Sequence, residues 1–265
     1  MSAMTTSSRA RSFDAAAARY AAHRPSYPPA LLDAVEELAG RPLAGARVAD
    51  VGAGTGIATR LLHGRGARVV AVEPGDGMAA QFRRALPGVP VVRGDGDHLP
   101  LASASVDFLT YAQAWHWTDP SRSVPEALRV LRPGGALALW WNDFDTAVPW
   151  VADQATRLRH FFGEATSTRF DPVHLRRLPT GLGLVSHRVR WTRRVPVDVH
   201  LGNLGSHSAF LVIGREAADA FLAAERDRLT GLFPDGTVEE SYTVSLSVAR
   251  TDGPSRGDRP RPPAR

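Results

Sequence analysis

Short apolar runs rich in valine and alanine recur through the first half of the chain, at 47–51 (RVADV), 68–72 (RVVAV), 89–93 (VPVVR), 106–112 (VDFLTYA) and 136–141 (ALALWW). Such brief, β-branched runs predict strands buried on both faces. The stretches between them, 56–64, 76–86 and 123–131, carry apolar residues at helical spacing and predict helices. Ser123 and Glu126 are spaced as a capping box with Pro125 in the first turn, and Arg132-Pro133-Gly134-Gly135 ends that helix. Beyond residue 142 the pattern predicts an amphipathic helix at 149–162, a loop around Asp171-Pro172, a strand near 184–191, a helix near 215–230 and a last strand near 238–249. Strands alternating with helices predict an α/β fold, a parallel sheet wrapped by helices. A helical arm at 13–39 leads into it, and without an internal repeat a single domain is expected over 13–251.

The 265 residues are 43% hydrophobic and 22% charged, enough to bury one large core. No run reaches the roughly 18 apolar residues of a membrane helix. The opening MSAMTTSSRARS has no apolar signal stretch, so a cytoplasmic location with no membrane partner is expected. Cys is 0, which excludes disulfides, Cys-ligated zinc, iron–sulfur clusters and thiol nucleophiles. All 32 basic residues are arginine, which excludes Schiff-base and P-loop lysines and suggests a GC-rich bacterial genome. The net charge of +5 does not point to nucleic acid. Residues 1–12 and 252–265 each hold +2, leaving the body at +1 with no electrostatic footprint for a phosphate backbone. Both ends are expected to be disordered, the second because TDGPSRGDRPRPPAR cannot pack a core.

The sharpest motif is Asp50-Val51-Gly52-Ala53-Gly54-Thr55-Gly56, which follows the first strand and opens a helix. Glycines let the backbone turn tightly and let a ligand lie against the main chain. A dinucleotide fingerprint is G-x-G-x-x-G. Here the third glycine comes one place early, at Gly56, and Ile57 stands where the fingerprint needs it. The G-x-G-x-G spacing after an acid resembles motif I of the class I S-adenosylmethionine-dependent methyltransferases. Glu73 ends the second strand, where open α/β folds place an acid to accept both ribose hydroxyls.

The set Tyr20…Arg24-Pro25-Ser26-Tyr27-Pro28, DVGAGTG, VEPGDGM, GDGDHLP, SVDFLTYAQAWHWTD and EALRVLRPGG resembles the type 11 methyltransferases, in particular the trans-aconitate methyltransferase-like branch. The resemblance covers residues 13–141. It implies a Rossmann-like, doubly wound, seven-stranded and mostly parallel sheet with an antiparallel last strand, and an arm that folds over S-adenosylmethionine. It also implies a cofactor site at Tyr20, Arg24, Asp50, Gly52, Ala53, Gly54, Gly56, Glu73, Pro74, Met78, Asp95, Gly96 and Gln113. Asp95 would accept from the adenine amino group and the Gly96 N–H would meet a ring nitrogen, with Asp97 the competing carboxylate. Tyr20 and Arg24 sit one helical turn apart, and Arg24 either pairs with the methionine carboxylate or braces the arm. Thr118 departs from the pattern, which has an aromatic after the His-Trp pair.

The acceptor is expected on the side of the fourth strand, bounded by 13–28, 113–118 and a lid segment at 142–183 with Arg157, Arg159 and His160. His116, with an ordinary value near neutrality, either serves as a general base or shapes the pocket. Trp115 or Trp117 either faces the sulfonium by cation–π contact or belongs to the core. The expected function is methyl transfer to a small molecule, with a carboxylate or hydroxyl oxygen ahead of an amine, carbon or tRNA acceptor. A binding protein or non-methylating enzyme on the same fold is the alternative. The histidines have no metal-ligand spacing, and no Gly-x-Ser-x-Gly is present, so no metal and no serine hydrolase are expected.

Overall fold

A computed structural model describes residues 23–163, 178–207, 209–210 and 213–251 of the chain. Seven strands form one sheet: β1 (Arg47–Val51), β2 (Arg68–Glu73), β3 (Val91–Arg93), β4 (Val106–Ala112), β5 (Leu131–Phe144), β6 (Val185–Pro196) and β7 (Thr237–Arg250), in the order β3-β2-β1-β4-β5-β7-β6. β1 pairs in parallel with both β2 and β4, so the strand order reverses about β1. This is the switch point at which open α/β sheets bind ligands, beyond the carboxyl ends of the strands. β7 runs antiparallel between β5 and β6. The doubly wound sheet with an antiparallel last strand is therefore as the sequence implied.

Seven helices accompany the strands among the described residues: α1 (Pro29–Ala39), α2 (Ile57–Gly64), α3 (Asp76–Ala85), α4 (Pro120–Val130), α5 (Pro149–Phe162), α6 (Val197–Gly205) and α7 (Arg215–Leu232). One sheet face is covered by Leu31 and Val35 of α1, Leu62 of α2 and Phe82 of α3, packed with Val48, Phe108 and Trp140. The other face holds Leu109, Tyr111, Leu139 and Trp141 against Trp115 and against Ala127 and Val130 of α4. No helix among the described residues is long and apolar enough to cross a membrane.

Several expected boundaries move, each for a physical reason. α4 starts at Pro120, three residues before the expected capping box, because Asp119 accepts from the Ser121 N–H and Pro120 fills the first turn. Pro125 then lies inside the helix, Ser123 is buried, and Glu126 accepts from the Leu99 N–H instead of capping. β3 begins at Val91, not residue 89, since Pro90 lends a carbonyl to Ala71 but has no N–H to give. β6 runs on to Pro196 because β7 pairs with it along its whole length. The arm is not one helix over 13–39, for residues 24–28 are non-helical and Pro25, Pro28 and Pro29 break the run. Arg24 therefore lies outside any helical register, and Tyr20, the tail and the first part of the arm fall outside the described residues.

α6 was not anticipated, and it anchors a buried polar network. Glu240 of β7 is fully buried and accepts from His200 Nδ1 at 2.7 Å, from Arg193 Nε at 2.5 Å and from the Tyr242 hydroxyl at 2.8 Å. Glu225 of α7, also fully buried, accepts from Gln154 Nε2 at 3.1 Å and Arg157 Nε at 2.5 Å. α5, α6 and α7 are thereby tied to the last two strands.

Candidate active site

The glycine loop between β1 and α2 turns through left-handed backbone at Gly52 (φ 66°), Gly54 (φ 57°) and Gly56 (φ 90°). The Gly52 and Ala53 N–H groups both donate to the Val72 carbonyl, at 2.8 and 3.2 Å, which folds the loop over the end of β2. A Cβ on Gly52 would lie 2.5 Å from that of Ala114, so loop and β4 end meet in a contact that admits no side chain. Glu73 ends β2 with 5% exposure, one carboxylate oxygen accepting from the Gly54 N–H at 2.8 Å and the other from the Gly75 N–H at 2.7 Å. Its carboxylate thus faces two turns at the switch point. Pro74 continues from it, its carbonyl accepting from Arg93, which also pairs with Asp76. Met78 is buried on α3.

Asp50 lies beneath this loop. It is fully buried, and its two oxygens accept from Thr59 at 2.5 Å and from Thr110 at 2.9 Å, so it joins β1 to α2 and β4. Burial outweighs the two hydroxyls and pushes its carboxyl up to about 6. A folded value above the unfolded one means stability is highest below about pH 4 and falls as pH rises to about 6. Asp50→Asn should flatten the melting temperature between pH 4 and pH 6, checked by scanning calorimetry across that range.

The loop after β3 is held by its own acids. Asp95 accepts from the N–H groups of Asp97 and His98, each at 3.0 Å, and is exposed. Asp97 accepts from the Asp119 N–H at 2.9 Å, which commits it to the start of α4. Burial and the neighbouring Asp95 and Asp119 push its carboxyl up, against the Asp119 N–H bond. Gly96 is buried, and a Cβ there would lie 2.7 Å from Thr118 Cγ2 and 3.0 Å from the Tyr111 ring. The threonine that departs from the family pattern is thus the small partner of this glycine.

Gln113 ends β4 with φ 53°, a left-handed conformation uncommon for a side-chain-bearing residue, held by its N–H donating to the Trp140 carbonyl at 2.8 Å. His116 follows in a short 3₁₀ turn (Trp115–Trp117). Its Nδ1 accepts from the indole N–H of Trp141 at 3.1 Å. An indole nitrogen only donates, so a neutral His116 carries its proton on Nε2. Trp115 is fully buried edge-on to Tyr111, ring centroids 4.9 Å apart, and belongs to the core. Trp117 leans on His116 at 4.6 Å. Asp143 was missed as a candidate. It shares a face of β5 with Trp141, is reached by solvent, yet lies deep enough for burial to push its carboxyl up to about 7.

Arg24 reaches the Ser206 carbonyl at the end of α6, at 3.5 Å. Arg157 is engaged by buried Glu225, whereas Arg159 donates to Thr156 and stays exposed.

The methyltransferase domain family matches residues 49–139, which span the glycine loop, both acidic turns and the His116 turn. An uncharacterised methyltransferase of Mycobacterium tuberculosis is 43% identical over 199 residues, 74% of this chain and 76% of its own length. A malonyl-[acyl-carrier protein] O-methyltransferase of Methylococcus capsulatus is 38% identical over 136 residues, 48% of each chain. Among solved structures, a candidate type II methyltransferase from Anaeromyxobacter dehalogenans matches with a TM-score of 0.68 at 29% identity, over 87% of this chain and 99% of that one.

Proposed function

The chain belongs to the methyltransferases, and from that premise we propose that it takes S-adenosylmethionine and methylates an oxygen of a small-molecule acceptor, a carboxylate ahead of a hydroxyl. The observation that carries the cofactor is the buried Glu73 carboxylate facing the Gly54 and Gly75 N–H groups. An acid at the end of β2 beside a glycine turn fits a ribose, and the G-x-G-x-G spacing, with Ile57 where a dinucleotide fingerprint needs its third glycine, argues against a dinucleotide. In this reading Gly52, Ala53, Gly54 and Gly56 form the main-chain floor, and Pro74 and Met78 form a wall. Asp95 and Gly96 meet the adenine, and Gln113 lies toward the methionine end. A single domain over 13–251 is part of the same reading.

When bound, the cofactor supplies a methyl group on a positively charged sulfur. The chain's part is then to hold an acceptor oxygen in line with that carbon and keep water away, and such positioning is worth about 7–11 kcal/mol of a barrier. In this reading a neutral His116, its Nδ1 lone pair taken by the Trp141 indole, shapes the acceptor side and removes no proton. An acceptor that arrives already ionised at neutral pH needs no base, which favours a carboxylate. The resemblance to the trans-aconitate methyltransferase-like branch and the malonyl O-methyltransferase relative support the same acceptor class.

A screen of small acids, phenols and amines for a cofactor-dependent mass gain of one methyl tests this reading. Acids are expected to gain the methyl, and gain by amines alone would overturn the acceptor class. With the acid so found, His116→Ala should raise KM with the pH profile of kcat unchanged from pH 6 to 8. A loss of about 100-fold or more in kcat that recovers as pH rises would make His116 a base.

A further inference from the structure

On the face of β5 opposite His116, Trp140 and Asn142 stand two residues apart and so project the same way. Tyr27 lies edge-on to Trp140 with ring centroids 6.0 Å apart, so the segment leading into α1 roofs this face. Asn142 Oδ1 accepts from the Trp191 indole N–H at 2.9 Å. Because that indole can only donate, the Asn142 amide orientation is fixed and its Nδ2 is a donor pointing elsewhere. Nδ2 of Asn142 and Nε1 of Trp140 are both buried and meet no acceptor. Buried donors are seldom left so. One step further along the strand, Phe144 stacks on His207 with centroids 6.5 Å apart, and His207 Nε2 is a third buried nitrogen without a partner. Arg24, on the Ser206 carbonyl beside it, brings positive charge to the rim.

This row begins at Trp140, which pairs with Ala112 at the last paired level of β4 and whose carbonyl holds Gln113. It therefore lies at the carboxyl end of β4, two strands from the glycine loop of β1, about 10 Å away at the usual strand spacing.

We propose that this face of β5 anchors the acceptor through a carboxylate, which accepts from Asn142 Nδ2 and Trp140 Nε1 beside the charge of Arg24. The inference rests on the methyltransferase reading above and adds to it the residues that select an anionic small molecule. Two variants separate the donors from the fold. Asn142→Asp keeps the oxygen that Trp191 needs and puts a second oxygen where the N–H was. Trp140→Phe keeps an aromatic ring under Tyr27 and removes the N–H together with the five-membered ring that carries it, so its melting temperature is measured alongside.

The full chain is first titrated with S-adenosylhomocysteine by calorimetry. It is then titrated with acetate, benzoate, glutarate and cinnamate, with benzamide and glutaramide as uncharged controls, with and without S-adenosylhomocysteine. At least one acid should bind at least tenfold more tightly than the amides. Each variant should weaken that acid at least tenfold while S-adenosylhomocysteine affinity stays within twofold. The proposal is overturned if no acid binds the wild-type chain or if both folded variants bind acid as the wild type does. It is also overturned if they lose S-adenosylhomocysteine instead, which would give the donors to the cofactor's own carboxylate. Failure of the underlying reading is separate, since it appears in the first titration, before any acid is added. Should Asn142→Asp not fold, Trp140→Phe decides.

Discussion

Glu73→Ala should lower the affinity for S-adenosylhomocysteine by about 10- to 100-fold while the protein stays folded. The carboxylate is buried at the end of β2, and both its oxygens face the turns that carry Gly54 and Gly75. Truncation removes the charged acceptor proposed for the ribose hydroxyls and leaves two N–H groups without their partner. Hydrogen bonds to a charged group are worth about 1.5–3 kcal/mol each way. Calorimetric titration checks the effect, with far-ultraviolet circular dichroism to establish folding. Unchanged affinity in a folded variant would remove Glu73 from the cofactor site.

The second large effect is on stability. Glu240→Ala should destabilise the protein by about 3–5 kcal/mol, the cost of removing one partner from a buried ion pair. The side chain is fully buried between His200, Arg193 and Tyr242, all of which turn polar atoms toward it. Burial raises the Glu240 carboxyl, but the bond and charge of His200, then those of Arg193, outweigh burial and hold it below the usual glutamate range. A folded value below the unfolded one means its contribution is complete above about pH 4.3 and lost as pH falls through the lower folded value. Urea unfolding at pH 7 should show the full loss. The gap between wild type and variant should narrow only in acid below pH 4, and a gap constant down to pH 3 would contradict the assignment.

The site's framework was legible because its chemistry is written in local spacing. Gly52, Gly54, Gly56 and Glu73 could be placed from the sequence since each follows a strand whose apolar run is unmistakable, and parallel pairing in register brings those strand ends together. What escaped depends on contacts far along the chain. The His116 tautomer is set by Trp141, 25 residues away, and Glu240 is satisfied by His200, 40 residues away. α6, with the sequence VDVHLGNLG, has two glycines and two β-branched residues, so its propensity conceals it and tertiary packing makes it a helix. The capping box at Ser123 was plausible in itself, but Asp119-Pro120 is a stronger start three residues earlier. Asp50 reads as an acid at a ligand loop, yet Thr59 and Thr110 take both its oxygens, a pairing visible only once β4 lies beside β1. Asp143 gave no signal, because the surroundings that push its carboxyl up come from elements distant in the chain.

The central claim is that the turns at Gly54 and Glu73 hold an adenosyl group and no dinucleotide. It is tested most directly by calorimetry of the full chain against S-adenosylhomocysteine and, separately, NAD. The account predicts one S-adenosylhomocysteine bound per chain, loss of that binding in Glu73→Ala, and no saturable heat with NAD. Saturable NAD binding, or no heat with S-adenosylhomocysteine in the folded wild-type protein, would contradict it.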